Sequence, residues 1–112
     1  MKNDWENTKT NSLFEAFLKL KTTDEVAMFC RDLMTESEIE EFAGRWDVAK
    51  KLDGGISQRE TSEKTGVSIA TVTRVNKWLK RGMDGYKLVL DRTKNSKVRS
   101  NHSTHSTLAS AG

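Results

Sequence analysis

The sequence contains few of the residues that crosslink, kink or anchor a protein chain. Its 112 residues include one cysteine and no proline, and aromatic residues make up 7%. A single cysteine, Cys30, excludes an intrachain disulfide and a cysteine-based metal cluster, so we expect no metal. No apolar run approaches the ~18 residues that would cross a membrane, and no signal peptide is visible. We therefore expect a protein of the reducing cytoplasm with no membrane association.

The absence of proline and of alternating apolar and polar residues favours helices over a sheet. Apolar stripes predict a helix over 4–20 and two more after the capping-box spacings that begin at Thr22 and Thr35. About six short helices are expected in all. With only 35% hydrophobic residues, they would build a thin core, which favours burial against a second subunit.

Composition changes near the C-terminus. From Arg92 onward the residues are polar or basic with almost no apolar ones, a composition typical of disorder. We therefore predict one ordered domain over 1–91 and a disordered tail over 92–112. Lys94, Lys97 and Arg99 in that tail would add salt-dependent contacts to phosphates.

Charge is distributed unevenly along the chain. Residues 1–52 carry eight basic and eleven acidic side chains, whereas residues 53–112 carry eleven basic and five acidic ones. The acidic first half argues against a general binder of polyanions. The basic second half suits a surface that faces DNA.

Residues 57–81 have the pattern of two helices joined by a tight turn. Ser57 and Glu60 have capping-box spacing, and Gly66 lies where a left-handed residue would end the first helix. Ser68 can cap the second helix. In that helix three apolar residues fall at i, i+3 and i+7 and should face inward: Val72, Val75 and Leu79.

The opposite side of the second helix carries short or basic residues: Ala70, Thr71, Thr73, Arg74 and Lys77. Short side chains let a helix approach a surface closely, and alanine, threonine and arginine all make contacts in the major groove. The alternative is a plain helical hairpin with a solvated polar face. The hydrogen-bonding residues and the basic charge of this half favour DNA.

These residues resemble a known family. The stretch from Gly55 to Arg74, with Ile-Ala-Thr-Val-Thr-Arg over 69–74, closely resembles the helix-turn-helix of the bacterial Trp repressor. With flanking matches, the resemblance covers roughly residues 33–80 and looks more like the YerC/YecD branch of Trp repressor-related proteins. It implies an all-α, intertwined homodimer with a helix-turn-helix at 57–81.

The resemblance also implies which residues lie near DNA. It adds Gln58, Arg59 and Ile69 to the outward residues chosen from the helical pattern. Periodicity alone would bury Ile69, whereas the family pattern places it at the tip of the recognition helix. Where the repressor has a lysine for a phosphate contact on the first helix of the motif, this chain has Ser62.

Part of an effector pocket is implied as well. Four polar residues match the frame in which the repressor holds tryptophan: Thr35, Arg45, Thr71 and Arg74. Two positions depart, because a glycine is replaced by Val75 and a serine by Trp78, and both add bulk where the ligand would lie. We expect no cofactor, and no tryptophan as corepressor. Three interpretations stay open: the Trp78 indole lies in or near the slot, a smaller effector binds, or both residues are core.

Together these features predict a repressor-like, sequence-specific transcriptional regulator that binds a palindromic operator as a dimer. The alternative is a non-enzymatic helical adaptor that binds other partners, and salt-dependent binding to duplex DNA separates the two. We do not expect an enzyme, because the sequence has no His/Asp/Ser constellation, glycine-rich phosphate loop or Cys/His cluster.

Overall fold

All regular secondary structure in the described residues is helical. This computed structural model describes the backbone of residues 3–102 and the side chains of residues 3–96. That range contains six helices: α1 (Thr8–Phe17), α2 (Thr23–Leu33), α3 (Glu36–Asp53), α4 (Gln58–Thr65), α5 (Ile69–Arg81) and α6 (Gly85–His102). The prediction of about six helices and no sheet is confirmed. No helix in residues 3–102 is both long and apolar enough to span a bilayer.

Residues 3–35 belong to one compact unit, which contains α1 and α2. Asn7 begins α1 with a capping box, so this helix starts later than the predicted 4–20. The hydroxyl of Thr22 caps α2 as its spacing predicted. Phe17 packs edge-on against Phe29, with ring centroids 5.2 Å apart. Neither helix contains a fully buried residue, so these two helices do not enclose a core in the single chain.

A second compact unit begins at Glu36 and contains α3 to α6. Its core forms where α5 packs on α3: Val72 and Val75 meet Val48 and Ala49, and all four are 0% exposed. Leu79 is buried as well, which confirms the inward stripe predicted for α5. Full burial of a valine side chain stabilises a fold by about 1.5–3 kcal/mol, so this small cluster accounts for much of the local stability.

Hydroxyl caps and one glycine define the ends of α4 and α5. Ser57 Oγ accepts a hydrogen bond from the amide of Glu60 at 3.1 Å, and Ser68 Oγ accepts one from Thr71 at 3.2 Å. Gly66 ends α4 in the left-handed region, with φ 76°. The two hydroxyl caps and Gly66 behave as the sequence predicted. The reciprocal half of the capping box does not form, because the Glu60 carboxylate pairs with Lys64 at 3.4 Å instead.

Helix α6 is longer than the sequence predicted. It continues to His102, so the predicted start of disorder at Arg92 is corrected for residues 92–102. Composition was a poor guide because propagation of a nucleated helix adds one hydrogen bond per residue and needs no apolar side chains. No glycine or proline interrupts the stretch. The rest of the predicted tail, 103–112, lies outside the described residues.

Lys94 connects α6 to the end of α3. Its Nζ lies 2.7 Å from Oδ2 of Asp53, and this hydrogen bond raises the pKa of the Lys94 ammonium. Lys94 therefore has a partner within the protein, which competes with the phosphate contact expected for it. The side chains of Lys97 and Arg99 lie outside the described part of the chain.

Gly66→Ala should lower the free energy of unfolding by about 1–2 kcal/mol, the cost of a left-handed conformation for a residue with a Cβ. No atom lies within 4 Å of the added Cβ, so a steric clash with a neighbour would not contribute to the loss. Urea denaturation measures it.

The matched control is Gly85→Ala, which also adds a Cβ in open space but without a positive φ. Its unfolding free energy should stay constant or rise, because alanine restricts the unfolded chain more than glycine does. Equal losses of unfolding free energy in the two variants would contradict the left-handed conformation of Gly66.

Candidate nucleic-acid interface

The turn between α4 and α5 is fixed by side-chain hydroxyls. Ser62 Oγ donates to the carbonyl of Val67 at 2.7 Å, and the Val67 amide donates to Thr65 Oγ1 at 3.1 Å. Both backbone polar groups of Val67 are therefore satisfied inside the turn. Ser62, which stands where the resemblance placed a lysine near phosphate, hydrogen-bonds to the turn.

The outward side of α5 is exposed, and we call it the recognition face: Ile69, Ala70, Thr73, Arg74 and Lys77. Ile69 is 51% exposed. Periodicity was misleading for Ile69 because it is the first residue of α5 and lies outside the buried cluster. The position implied by the family pattern agrees with the structure. Thr71 is half-buried, and its Oγ1 accepts a hydrogen bond from Ser68 Oγ at 3.1 Å.

Helix α4 brings Gln58 to the recognition face. Gln58 Oε1 accepts a hydrogen bond from Thr73 Oγ1 at 2.9 Å. Arg59, the next residue of α4, is exposed. The structure thus joins two of the residues expected near DNA by a direct contact that sequence reasoning did not find.

Helix α5 carries uncompensated positive charge. It contains four basic residues and no acidic one: Arg74, Lys77, Lys80 and Arg81. Within residues 3–96, none of the four forms an ion pair, whereas Arg45, Lys51 and Lys64 each pair with a carboxylate four residues earlier. Helix α5 therefore presents cations that an external anion could neutralise.

Arg45 lies close to two aromatic rings. Its guanidinium carbon is 5.5 Å from the centroid of Phe42 and 5.9 Å from the centroid of Trp78. Distances of this size allow a cation–π attraction. One guanidinium nitrogen, Nη2, donates to Glu41 at 3.0 Å, whereas Nε is buried without a hydrogen-bond partner. The contact between Arg45 and Trp78 links α3 to the exposed side of α5.

The residues expected to form an effector pocket differ in how deeply they are buried and in where they lie. Val75 is fully buried in the core, whereas Trp78 is 39% exposed and lies against Arg45. Arg74 is on the recognition face. Thr35 closes the first compact unit, and Glu36 begins α3 in the second.

An apolar groove of about 520 Å³ lies next to Trp78, and sequence reasoning missed it. Its lining comes from α3, α5, the turn that follows α5, and α6: Trp46, Trp78, Gly82, Met83, Gly85, Tyr86 and Val89. The rings of Trp46 and Tyr86 stack with centroids 6.4 Å apart. Burial raises the pKa of the Tyr86 phenol, and the nearby Arg45 partly opposes that rise. Among the side chains that the structure describes, those of residues 3–96, no group of three or more His, Cys, Asp or Glu is placed to hold a metal.

Comparison with known proteins decides the family. The profile described as Trp repressor protein matches residues 8–94. The chain belongs to the Trp repressor family. This confirms the resemblance expected from the sequence, and the family supports a regulatory role.

Relatives of this Trp repressor family member cover most of its length. It is 38% identical over 90 residues to YerC of Bacillus subtilis, which covers 80% of this chain and 86% of YerC. It is 38% identical over 76 residues to the Trp operon repressor homolog of Chlamydia trachomatis serovar D, which covers 63% of this chain and 80% of that protein. A crystal structure of a TrpR like protein from Eubacterium eligens superposes with a TM-score of 0.79 at 39% identity, over 83% of this chain and 96% of that one.

Tyr86 is the only tyrosine, so the absorbance of its phenolate reports on the groove alone. Its ionisation midpoint should be higher in the folded protein than in urea, because burial raises the pKa. The stability that the neutral phenol contributes is complete below its unfolded pKa of about 10 and is lost as the pH rises through the folded value.

Arg45→Gln provides the check on this site. Removing the guanidinium should raise the Tyr86 midpoint further, since Arg45 lowers that pKa. A lower midpoint, in a variant shown by circular dichroism to be folded, would contradict the placement of Arg45 near Tyr86.

Proposed function

We propose that this protein is a repressor-like transcriptional regulator of the cytoplasm that binds a palindromic DNA operator as a homodimer. The observation that carries the proposal is the recognition face, held outward by a capped helix-turn-helix and free of acidic residues. Membership in the Trp repressor family supports a regulatory and non-enzymatic role.

The side chains of the recognition face suit the major groove. Ala70 and Thr73 are short and exposed, so the backbone of α5 can approach base edges closely. Arg74 can form a bidentate pair with guanine, a contact worth about 1–3 kcal/mol of discrimination between bases. The other cations of α5 are suited to phosphates, which supply affinity but little sequence information.

Apolar exposure supports the homodimer. Helices α1 and α2 have no fully buried residue. Large apolar side chains are exposed in both compact units: Phe14, Val26, Met28, Leu33, Met83, Leu88 and Val89. Surfaces of this kind commonly pack against a second copy. A twofold dimer would offer one α5 to each half-site, with half-sites about 34–36 Å apart.

In this proposal the protein binds DNA without tryptophan. The indole of Trp78 lies against Arg45, one of the residues that the family resemblance assigns to the pocket. Val75 fills its position completely as a core residue. Helix α5 is therefore held on α3 by side chains of the chain itself. A ligand would bind with similar affinity whatever the position of α5, so it would shift that position little.

Selection of duplexes from a random pool tests the function. The purified protein should enrich a palindrome with half-sites about one helical turn apart. On that duplex, Arg74→Ala should weaken binding about tenfold or more, because it removes a base contact.

Arg81→Ala is the matched control, since it removes one charge from the same helix at its far end. It should weaken binding to all duplexes slightly and reduce the salt dependence, with no change in the selected sequence. Failure to enrich any duplex would instead favour the helical adaptor.

Addition of L-tryptophan at millimolar concentration should produce no saturable heat in calorimetry. The affinity for the selected duplex should be the same with and without the amino acid, because Val75 and Trp78 add bulk where the ligand would lie. Saturable binding of one tryptophan per subunit would overturn this part of the proposal.

A further inference from the structure

The hydroxyl of Thr73 is bonded differently from two other helical threonines. Thr65 and Thr93 donate to the carbonyl four residues earlier, at 2.7 Å and 2.8 Å, as threonines in helices often do. Thr73 instead donates to Oε1 of Gln58, fifteen residues away on α4. The orientation of the Thr73 hydroxyl is therefore set by the neighbouring helix.

Gln58 is itself held in place. Its side chain is half-buried and lines a groove together with Ile56, Asn76 and Leu79. Gln58 is the first residue of α4, directly after the Ser57 cap, so its backbone is fixed, and the hydrogen bond from Thr73 sets the direction of its acceptor oxygen. The hydrogen bond to Thr73 is thus formed before any DNA arrives.

A threonine hydroxyl has one proton and two acceptor lone pairs. With the proton committed to Gln58, Thr73 can act toward DNA only as an acceptor. In the major groove, adenine and cytosine present amino donors, whereas guanine and thymine present acceptors. An acceptor-only Thr73 therefore pairs with adenine or cytosine and meets an unfavourable acceptor on guanine or thymine.

We propose that Gln58 and Thr73 form a coupled reading pair, in which Gln58 fixes the Thr73 hydroxyl as an acceptor and thereby selects adenine or cytosine at the base that Thr73 faces. The inference rests on the proposed function, because it requires α5 to enter the major groove. Gln58 is then a positioning residue for specificity, and its amide nitrogen keeps two donors for phosphate oxygens.

The test begins with Thr73→Val, which removes the hydroxyl and keeps the shape of the side chain. The base position that loses its preference in a selection with Thr73→Val is the one that Thr73 faces. The wild-type protein should select adenine or cytosine there. Competition between duplexes that differ only at this position then gives the discrimination ratio.

Gln58→Met removes the acceptor and keeps the length of the side chain. The Thr73 hydroxyl can then rotate and donate, so guanine and thymine become acceptable and the discrimination ratio should fall roughly fivefold or more. Gln58→Glu keeps an acceptor oxygen. It should retain the preferred base but weaken binding to all duplexes, because a carboxylate now faces phosphates.

A double-mutant cycle closes the test. In the Thr73→Val background, Gln58→Met should have no further effect on the preference at this position. Unchanged discrimination in Gln58→Met, or wild-type selection of guanine or thymine, would overturn the coupled pair while leaving the function intact. If the wild-type protein enriches no duplex at all, the proposed function itself fails.

Discussion

The packing of Val72 and Val75 against Val48 and Ala49 is the contact on which the arrangement of the second unit depends. All four side chains are fully buried, so the inner side of α5 is fixed and the direction of each outward residue follows from helical geometry. The valines and threonines of α5 lower its intrinsic helix propensity by tenths of a kcal/mol per residue. Burial of one valine contributes about 1.5–3 kcal/mol. Packing therefore decides the structure of this helix, and propensity does not.

Features that depend on neighbours within one helical turn could be predicted from the sequence. The caps at Ser57 and Ser68 and the left-handed Gly66 each involve residues close in the chain, and so does the inward stripe of α5. Ile69 could not be assigned from periodicity, because its exposure depends on where the supporting core ends. The length of α6 was missed since composition reports what can be buried, whereas a helix that is already nucleated can extend where no glycine or proline interrupts it.

The contacts of the candidate site were beyond sequence reasoning for a different reason. Gln58 and Thr73 were both expected near DNA, but their hydrogen bond depends on how α4 and α5 cross. The family resemblance showed that Trp78 adds bulk, and only the structure shows that its ring lies against Arg45. The apolar groove beside it draws on three helices. Sequence reasoning can identify such residues, but it cannot tell which of them are in contact, because the partners are far apart in the chain.

The charge of α5 has a consequence for the protein in the absence of nucleic acid. Its four cations have no ion-pair partner among residues 3–96, while several basic residues of α3 and α4 are neutralised locally. Two molecules that met through their α5 surfaces would bring like charges within the screening length of about 8 Å at physiological ionic strength, and they would repel. The surface suited to a polyanion thus also discourages stacking of one molecule on another, which keeps it accessible in a crowded cell.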